Sequence, residues 1–401
     1  MFEGKTIVLG VSGGIAAYKV AQLASDLSKT AAEVHIIMTK NAAEFVTPLT
    51  FETLTNHRVS VDTFDRNFEY NVEHVALAKK ADVFLIAPAT ANVLAKMAAG
   101  IADDMLTTTV LAASCPKIVA PAMNTGMYEN PVTRRNLELL RGFGVTVLEP
   151  ESGWLACGDV GRGRLPSNEM LFEAVRCALT PRDLEGIRLL VTAGPTQEAI
   201  DPVRYITNHS TGKMGYELAA AARRRGAVVT LVTGKVALKP PIGVTAVPVV
   251  SAQDMFDAVV TRTPDQDMII KCAAVADYKP ETAAADKIKK SGDEMNLHLT
   301  RTKDILSHIG HNRTDGQVIC GFSMETRDLL ENSRAKLSKK NVDMIVANNL
   351  NDMGAGFGTA TNLVTIITLE GAECLPLMGK DEVAEKILDR MLDIYHSRNQ
   401  R

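Results

Sequence analysis

One pattern occurs twice in this chain and constrains it more than any other: an apolar run, a glycine turn and an alanine-rich helical stretch. Thr6-Ile-Val-Leu-Gly leads through Val11-Ser-Gly-Gly into a helical pattern from Ile15 to Leu27. Ile187 to Thr192 is a second run rich in branched residues. It stops at Ala193-Gly-Pro, and after a long polar loop a second helical pattern starts at Met214. Such runs, bounded by glycine and proline, read as buried parallel strands. A strand, a glycine turn and a helix N-terminus make a phosphate-binding device. A length of 401 residues accommodates two domains of ordinary size. The expected fold is two tandem Rossmann-like α/β domains, 1–185 and 186–401, joined where Ala178 to Gly186 carries a Pro and a Gly among charged residues.

Composition removes several function classes. A net charge of -3 offers neither nucleic acid nor a membrane surface an electrostatic footing. There is no apolar run near twenty residues, and Gly10, Ser12, Gly13 and Gly14 break the only candidate signal-peptide core. Six cysteines (115, 157, 177, 272, 320 and 374) lack CxxC spacing. That usage points to reduced thiols in a cytoplasm, and away from a zinc site or disulfide framework.

In the first half, Val34-His-Ile-Ile-Met is a second strand that ends at Thr39-Lys40 without the acid a dinucleotide fold places there to hold a ribose. Gly10-Val-Ser-Gly-Gly also lacks full GxGxxG spacing. Hydroxyls and backbone N–H groups suit a mononucleotide phosphate such as that of FMN, although a bare βα turn fits the same residues. Val83-Phe-Leu-Ile-Ala runs into Pro88-Ala-Thr-Ala-Asn, small and hydroxyl residues at the ligand end of a parallel strand. Asp103, Thr107 and Thr108 follow in a segment that can approach a flat ring or simply pack closely. Asn124 lies just past the strand Lys117-Ile-Val-Ala, where an Asn is most often a turn former. His74 precedes the helix Val75 to Lys80. Cys157 sits in Gly153 to Arg164, whose four glycines and two arginines read as a mobile flap.

Ser12-Gly-Gly-Ile-Ala-Ala-Tyr-Lys19, Pro88-Ala-Thr-Ala-Asn92, Pro121-Ala-Met-Asn-Thr-Gly-Met-Tyr128 and Ala156-Cys-Gly-Asp159 together resemble the flavin-dependent cysteine decarboxylases. Among these, they resemble the phosphopantothenoylcysteine decarboxylase half of the bacterial bifunctional coenzyme A biosynthesis proteins. The resemblance implies a flavodoxin-like fold, trimeric contacts and FMN, held by Ser12, Gly13, Gly14, Thr39, Pro88, Ala89, Thr90, Asn92 and Thr107. It implies that His74 is the base assisting thiol oxidation, that Asn124 binds the departing carboxylate and that Cys157 returns a proton. The chemistry fits these types: flavin supplies the electron sink that a carboxylate β to a plain thiol lacks, while the protein supplies position and protons.

In the second half, Gly212-Lys213 suggests a Walker A loop, but Met214 replaces the hydroxyl residue and Thr207 stands where a glycine is needed. About twenty residues separate Gly194 from Met214, too many for the tight dinucleotide turn. Strand Val228 to Val232 again ends without an acid. Met268 to Ala276 is a strand running to Asp277, followed by the lysine-rich Asp286-Lys-Ile-Lys-Lys290. Gln317 to Phe322 and Asn341 to Asn349 are further strands, and Lys336 and Lys340 share a helix face. A lysine run is usually a solvated face, yet so many lysines near strand ends suit a polyphosphate.

Ala193-Gly-Pro-Thr196, Arg204 to Gly215, Ala273-Ala-Val-Ala-Asp-Tyr278 and Lys287-Ile-Lys-Lys290 resemble the phosphopantothenate–cysteine ligase part of the same family. This implies dimeric contacts, CTP with Mg2+, and an acyl-cytidylate made from 4′-phosphopantothenate and then attacked by cysteine. By the same resemblance, Asn208 acts on the acyl carbonyl and Lys287 neutralises developing charge. Ala273, Asp277, Lys287, Lys303, Asp304, Ile305, Leu306, Phe322, Lys336 and Lys340 match nucleotide-contacting positions. The sequence departs from the family at Lys271, where an apolar residue is expected, and at Leu165-Pro166 after the flap. Two other readings compete. A flavin-binding regulatory protein of this fold tends to lose the base or flap thiol, both present here. A pair of nicotinamide dehydrogenases lacks the required acids.

Overall fold

The computed structural model describes residues 2–64, 72–156, 158–289, 295–325, 329–349, 359 and 361–399. The chain divides into two compact units, Met1–Pro181 and Arg182–Arg401, and each is an α/β sheet with helices on both faces. Among the described residues no helix is long and apolar enough to cross a membrane.

The first unit contains strands β1 (Thr6–Val11), β2 (Glu33–Met38), β3 (Val83–Ala89), β4 (Lys117–Pro121) and β5 (Thr146–Val147). They form one sheet in the order β2-β1-β3-β4-β5, every pairing parallel. That is the flavodoxin-like order, whose switch point lies between β1 and β3. Every residue of β1 and β3 is buried, as central strands covered on both faces require. Alternation sorts them: Ile7, Leu9 and Leu85 join one apolar layer, and Val8, Phe84 and Ile86 the other. The helices are α1 (Ala17–Ser28), α2 (Lys40–Ala43), α3 (Pro48–Thr55), α4 (Glu73–Lys80), α5 (Ala91–Ala99), α6 (Met105–Ala112), α7 (Thr125–Glu129), α8 (Pro131–Gly142) and α9 (Asn168–Leu179). The segment read as a flap is an antiparallel hairpin of β6 (Glu151–Trp154) and β7 (Val160–Arg164).

The second unit begins with β8 (Arg188–Ala193), a small hairpin of β9 (Gln197–Ala199) and β10 (Tyr205–Thr207), and α10 (Lys213–Arg224). Strands β11 (Val228–Thr233) and β12 (Thr245–Pro248), then α11 (Ala252–Arg262) and β13 (Met268–Lys271), follow. After the antiparallel pair β14 (Tyr278–Pro280) and β15 (Leu299–Arg301) come α12 (Ile305–His311), β16 (Val318–Glu325), α13 (Leu329–Lys340) and β17 (Met344–Asn349). The sheet runs β12-β11-β8-β13-β16-β17 in parallel, the 3-2-1-4-5-6 order of a doubly wound nucleotide-binding sheet. The short β18 (Thr361–Asn362) precedes β19 (Val364–Thr368) and β20 (Ala372–Cys374), which extend that edge antiparallel. Finally β21 (Met378–Gly379) leads into α14 (Lys380–Asn399). The Rossmann strand order is thus present without the tight first turn: the β9–β10 hairpin fills the long gap before α10.

Candidate active sites

The switch point of the first sheet opens into a cleft of about 870 Å3, lined in part by Gly13, Gly14, Thr90, Asn124, Trp154 and Arg164. Its floor is tied together by Ser12, which is fully buried. The Ser12 hydroxyl donates to the Pro88 carbonyl at 2.7 Å and accepts from the Thr90 backbone N–H at 3.0 Å. The β1 and β3 ends are therefore fixed to each other before any ligand arrives. Gly13 is required by packing, since a Cβ there would run into Asn41. A Cβ on Gly14 would meet only Thr90, at 3.6 Å, so the missing side chain leaves room within the cleft. Large volume, two glycines and the start of a helix fit a mononucleotide cofactor.

Thr39, Ala89, Asn92 and Thr107, also assigned to the cofactor, do not line this cleft. Thr39 caps α2, accepting from the Ala42 N–H at 3.2 Å. Ala89 is buried in β3, and Asn92 is exposed in the first turn of α5. Thr107 is buried in a reciprocal capping box with Asp104, its hydroxyl donating to the carboxylate at 2.8 Å. Thr107 lines a separate apolar groove beside Ile101, Leu111 and Phe143.

Asn124 is held at the start of α7. Its side-chain oxygen accepts from the Gly126 N–H at 2.8 Å, and its amide donates to Asp159 at 2.7 Å across to the hairpin. The hairpin glycines make this approach possible. A Cβ on Gly163 would collide with the Met123 carbonyl and one on Gly161 with Thr125, while the Met123 N–H donates to Gly163 O at 2.9 Å. Gly163→Ala is therefore expected to push the hairpin off the turn that carries Asn124. Turnover at this cleft should fall by at least tenfold while turnover in the second unit is unchanged, and equal loss of both would point to general unfolding instead. Cys157 lies outside the described residues. His74 occupies the first turn of α4 and does not line this cleft.

The second crevice opens between β8 and β13. The Thr192 hydroxyl accepts from the Cys272 and Ala273 N–H groups, each at 3.1 Å, and the Thr196 hydroxyl from the Ala276 N–H at 3.0 Å. The chain after β13 is thus pinned to the chain after β8. Asn208 follows β10 and donates to the Ala274 carbonyl at 3.1 Å. Lys287 is exposed, but its loop is latched one residue on. Asp201 is paired with Arg204 and accepts the Ile288 N–H at 3.2 Å, and Arg204 donates to the Ile288 carbonyl at 3.0 Å. The sequence reading missed this latch.

The remaining nucleotide positions cluster along β13, β16 and α13. Ala273 and Phe322 line a pocket of about 140 Å3, and Asp277 is exposed just beyond it. Lys336 donates to the Ser323 hydroxyl at 2.7 Å, and Lys340 lies 3.3 Å from Asp304, which caps α12. Ile305 and Leu306 are buried, and Lys303 stands 4.6 Å from the centre of the Phe256 ring. The unexpected Lys271 donates to the Ala273 carbonyl at 3.2 Å. Burial, and then Lys340, push its ammonium below the ordinary lysine range. Burial pushes the Cys272 thiol up to about 12, away from the depressed range of reactive cysteines.

Ser210, Thr211, Lys213, Asn348 and Lys380 line the same pocket. Lys213 and Lys380 open α10 and α14, so two helix N-termini and two lysines favour an anion here. Lys380 carries no sequence signal, since only the fold brings it beside Lys213.

A flavodoxin-like sheet with a mononucleotide cleft, followed by a doubly wound sheet with a lysine-lined crevice, defines a two-part flavoprotein and nucleotide-using enzyme. Comparison with known proteins agrees. Residues 1–180 match the Flavoprotein family, and residues 184–395 match the DNA/pantothenate metabolism flavoprotein C-terminal domain. The coenzyme A biosynthesis bifunctional protein CoaBC of Bacillus subtilis (strain 168) is 47% identical over 396 residues, covering 98% of this chain and 97% of the relative. That of Escherichia coli (strain K12) is 41% identical over 402 residues, covering 99% of each. The crystal structure of the C-terminal domain of a CoaBC protein is 42% identical and covers 54% of this chain and 99% of its own, with a TM-score of 0.47. The chain belongs to the family of bifunctional coenzyme A biosynthesis proteins. It is a flavoprotein enzyme with decarboxylase and ligase activities.

Proposed function

We propose that the second unit, residues 186–401, joins cysteine to 4′-phosphopantothenate with CTP, and that the first, residues 1–185, decarboxylates the product to 4′-phosphopantetheine. The observation that carries this reading is the pairing of the two crevices. Each lies at the switch point of its sheet: the first is lined by Gly13, Gly14, Thr90 and Asn124, and the second by Ala273, Phe322, Lys213 and Lys380.

In the ligase half, Lys287 stands to neutralise charge as CTP is attacked by the substrate carboxylate and pyrophosphate leaves. Asn208, fixed on the crevice rim by Ala274, orients the acyl carbonyl for the cysteine amine. Lys336 and Lys340 face the nucleotide, while Lys213 and Lys380 suit the phosphate monoester of phosphopantothenate. Among the described residues the only cluster of three metal-ligating atoms lies in the first unit. Magnesium would enter with the CTP phosphates, as it usually does.

In the decarboxylase half, Gly13, Gly14 and Thr90 would hold FMN, which when bound supplies the reversible two-electron oxidation that makes the carboxylate labile. His74 takes the thiol proton, Asn124 orients the carboxylate, and Cys157 delivers the final proton. His74 does not line the cleft that holds Asn124, and in this reading a second copy of the first unit supplies it. An exposed apolar rim of Ile101, Leu111 and Phe143 suits such self-association. The assembly proposed is a homo-oligomer acting in the cytoplasm, with trimeric contacts through the decarboxylase and dimeric contacts through the ligase.

The test is direct. The purified protein is expected to be yellow, to release pyrophosphate from CTP only when phosphopantothenate is present, and then to release carbon dioxide once cysteine is added. Pyrophosphate release with ATP equal to that with CTP would remove the cytidylyl assignment. A yellow protein that turns over neither substrate would indicate a regulatory flavoprotein.

A further inference from the structure

We infer that Glu33, His35 and His57 form a binding site for a divalent transition-metal ion of the zinc class, in competition with the ammonium group of Lys80. The site lies at the amino end of β2, whereas the cofactor cleft opens at the carboxyl ends of the strands. None of the four residues has a part in either half-reaction. The cysteine pattern argues against a thiolate zinc site, but this cluster uses imidazole and carboxylate instead.

Glu33 and His35 are two apart on a strand and so share a face. His57 arrives from the turn after α3, where Asn56 adopts a left-handed conformation. His35 Nε2 is 3.0 Å and His57 Nε2 3.4 Å from the same Glu33 oxygen, and the three ligating atoms all lie within 4.8 Å of one another. Ligands on a tetrahedral zinc ion with bonds of about 2.0–2.1 Å stand roughly 3.3 Å apart. Only small side-chain movements separate the observed arrangement from that one.

The second shell is also in place. His57 Nδ1 lies 2.9 Å from the Thr55 carbonyl. A carbonyl only accepts, so Nδ1 carries a proton, and Nε2 is the ring nitrogen that would ligate a metal. Metal-binding histidines are commonly fixed in this way. The side chains of Glu33 and His57 remain about one-third exposed, which leaves an entry path.

A cation already occupies the position. Lys80 pairs with Glu33 Oε1, and its Nζ is 3.4 Å from His35 Nε2. The ammonium and a metal ion claim the same carboxylate oxygen and exclude each other. Lys80 ends α4, the helix whose first turn holds His74. A bound ion thus releases one tether of that helix.

The full-length, FMN-loaded protein is dialysed against Zn2+ and its zinc content measured by mass spectrometry. Thiols also bind zinc, so the comparison is between variants. His57→Ala is expected to lose one zinc per chain. Lys80→Met, which removes the competing charge, should bind that zinc at least tenfold more tightly. Glu33→Gln provides a second deletion should His57→Ala be unstable, and retained FMN and ligase turnover report folding. X-ray absorption at the zinc edge of Lys80→Met should show a nitrogen and oxygen shell. Unchanged zinc content in both deletion variants, no gain in Lys80→Met, or sulfur in the coordination shell would each overturn the site.

Discussion

Co-expressed His74→Asn and Asn124→Asp chains are expected to recover decarboxylation that neither variant has alone. Removing a positioned acid–base group or an orienting amide should lower the rate of each homogeneous variant by about 10²–10⁴. In a mixed oligomer some sites combine an intact His74 from one chain with an intact Asn124 from another. Random assortment gives on the order of a quarter of the wild-type rate, the statistical share of symmetric interfaces that join two unaltered surfaces. The geometry behind this is the placement of Asn124 in the cleft wall, bonded to Asp159 and Gly126, and of His74 outside that wall. Were both residues to act within one chain, co-expression would yield no more than the sum of the two variants. Ligation by the second unit serves as the control and should be unaffected.

The second large effect separates the half-reactions of ligation. Lys287→Gln removes the charge before the acyl-cytidylate exists and should abolish pyrophosphate release. Asn208→Asp leaves that step intact, replaces a donor with an acceptor and should let acyl-cytidylate accumulate. Loss of one preorganised donor typically costs about 10²–10³ in rate. Quenched-flow detection of pyrophosphate and of the acyl-cytidylate distinguishes the two, and the opposite pattern would exchange the roles. The structure adds a control. Asp201→Asn weakens the hold on Ile288 and should impair the same step as Lys287→Gln, only less severely.

The strands and their glycine turns were legible in the sequence because central parallel strands must be apolar throughout. So was the pairing of two nucleotide-type units, since each begins with the same strand–turn–helix pattern. What could not be read was which hydroxyls are already in use. Ser12 and Thr107 read as ligand contacts in a linear sequence, and the fold adds a structural use for each: one ties β1 to β3 and the other caps a helix. The Asp104–Thr107 box does have a local signal in its three-residue spacing. The glycine-rich stretch around Cys157 reads as a mobile flap, and the fold gives two of its glycines a further use: Gly161 and Gly163 pack closely against Thr125 and Met123. Lys380 had no readable signal at all, because its neighbour Lys213 is distant in sequence.

The Asp201 latch also governs how the ligase half responds to acid. The Arg204 guanidinium holds the Asp201 carboxyl well below the usual carboxylate range. A carboxyl whose folded pKa is depressed stabilises the fold fully above its unfolded value, about 3.9. That contribution disappears only as the pH falls through the folded value. The Ile288 backbone, and with it the foot of Lys287, is therefore insulated from protons throughout the neutral range. Any inflection in pyrophosphate release near neutrality must then originate in the substrates or in side chains other than this latch.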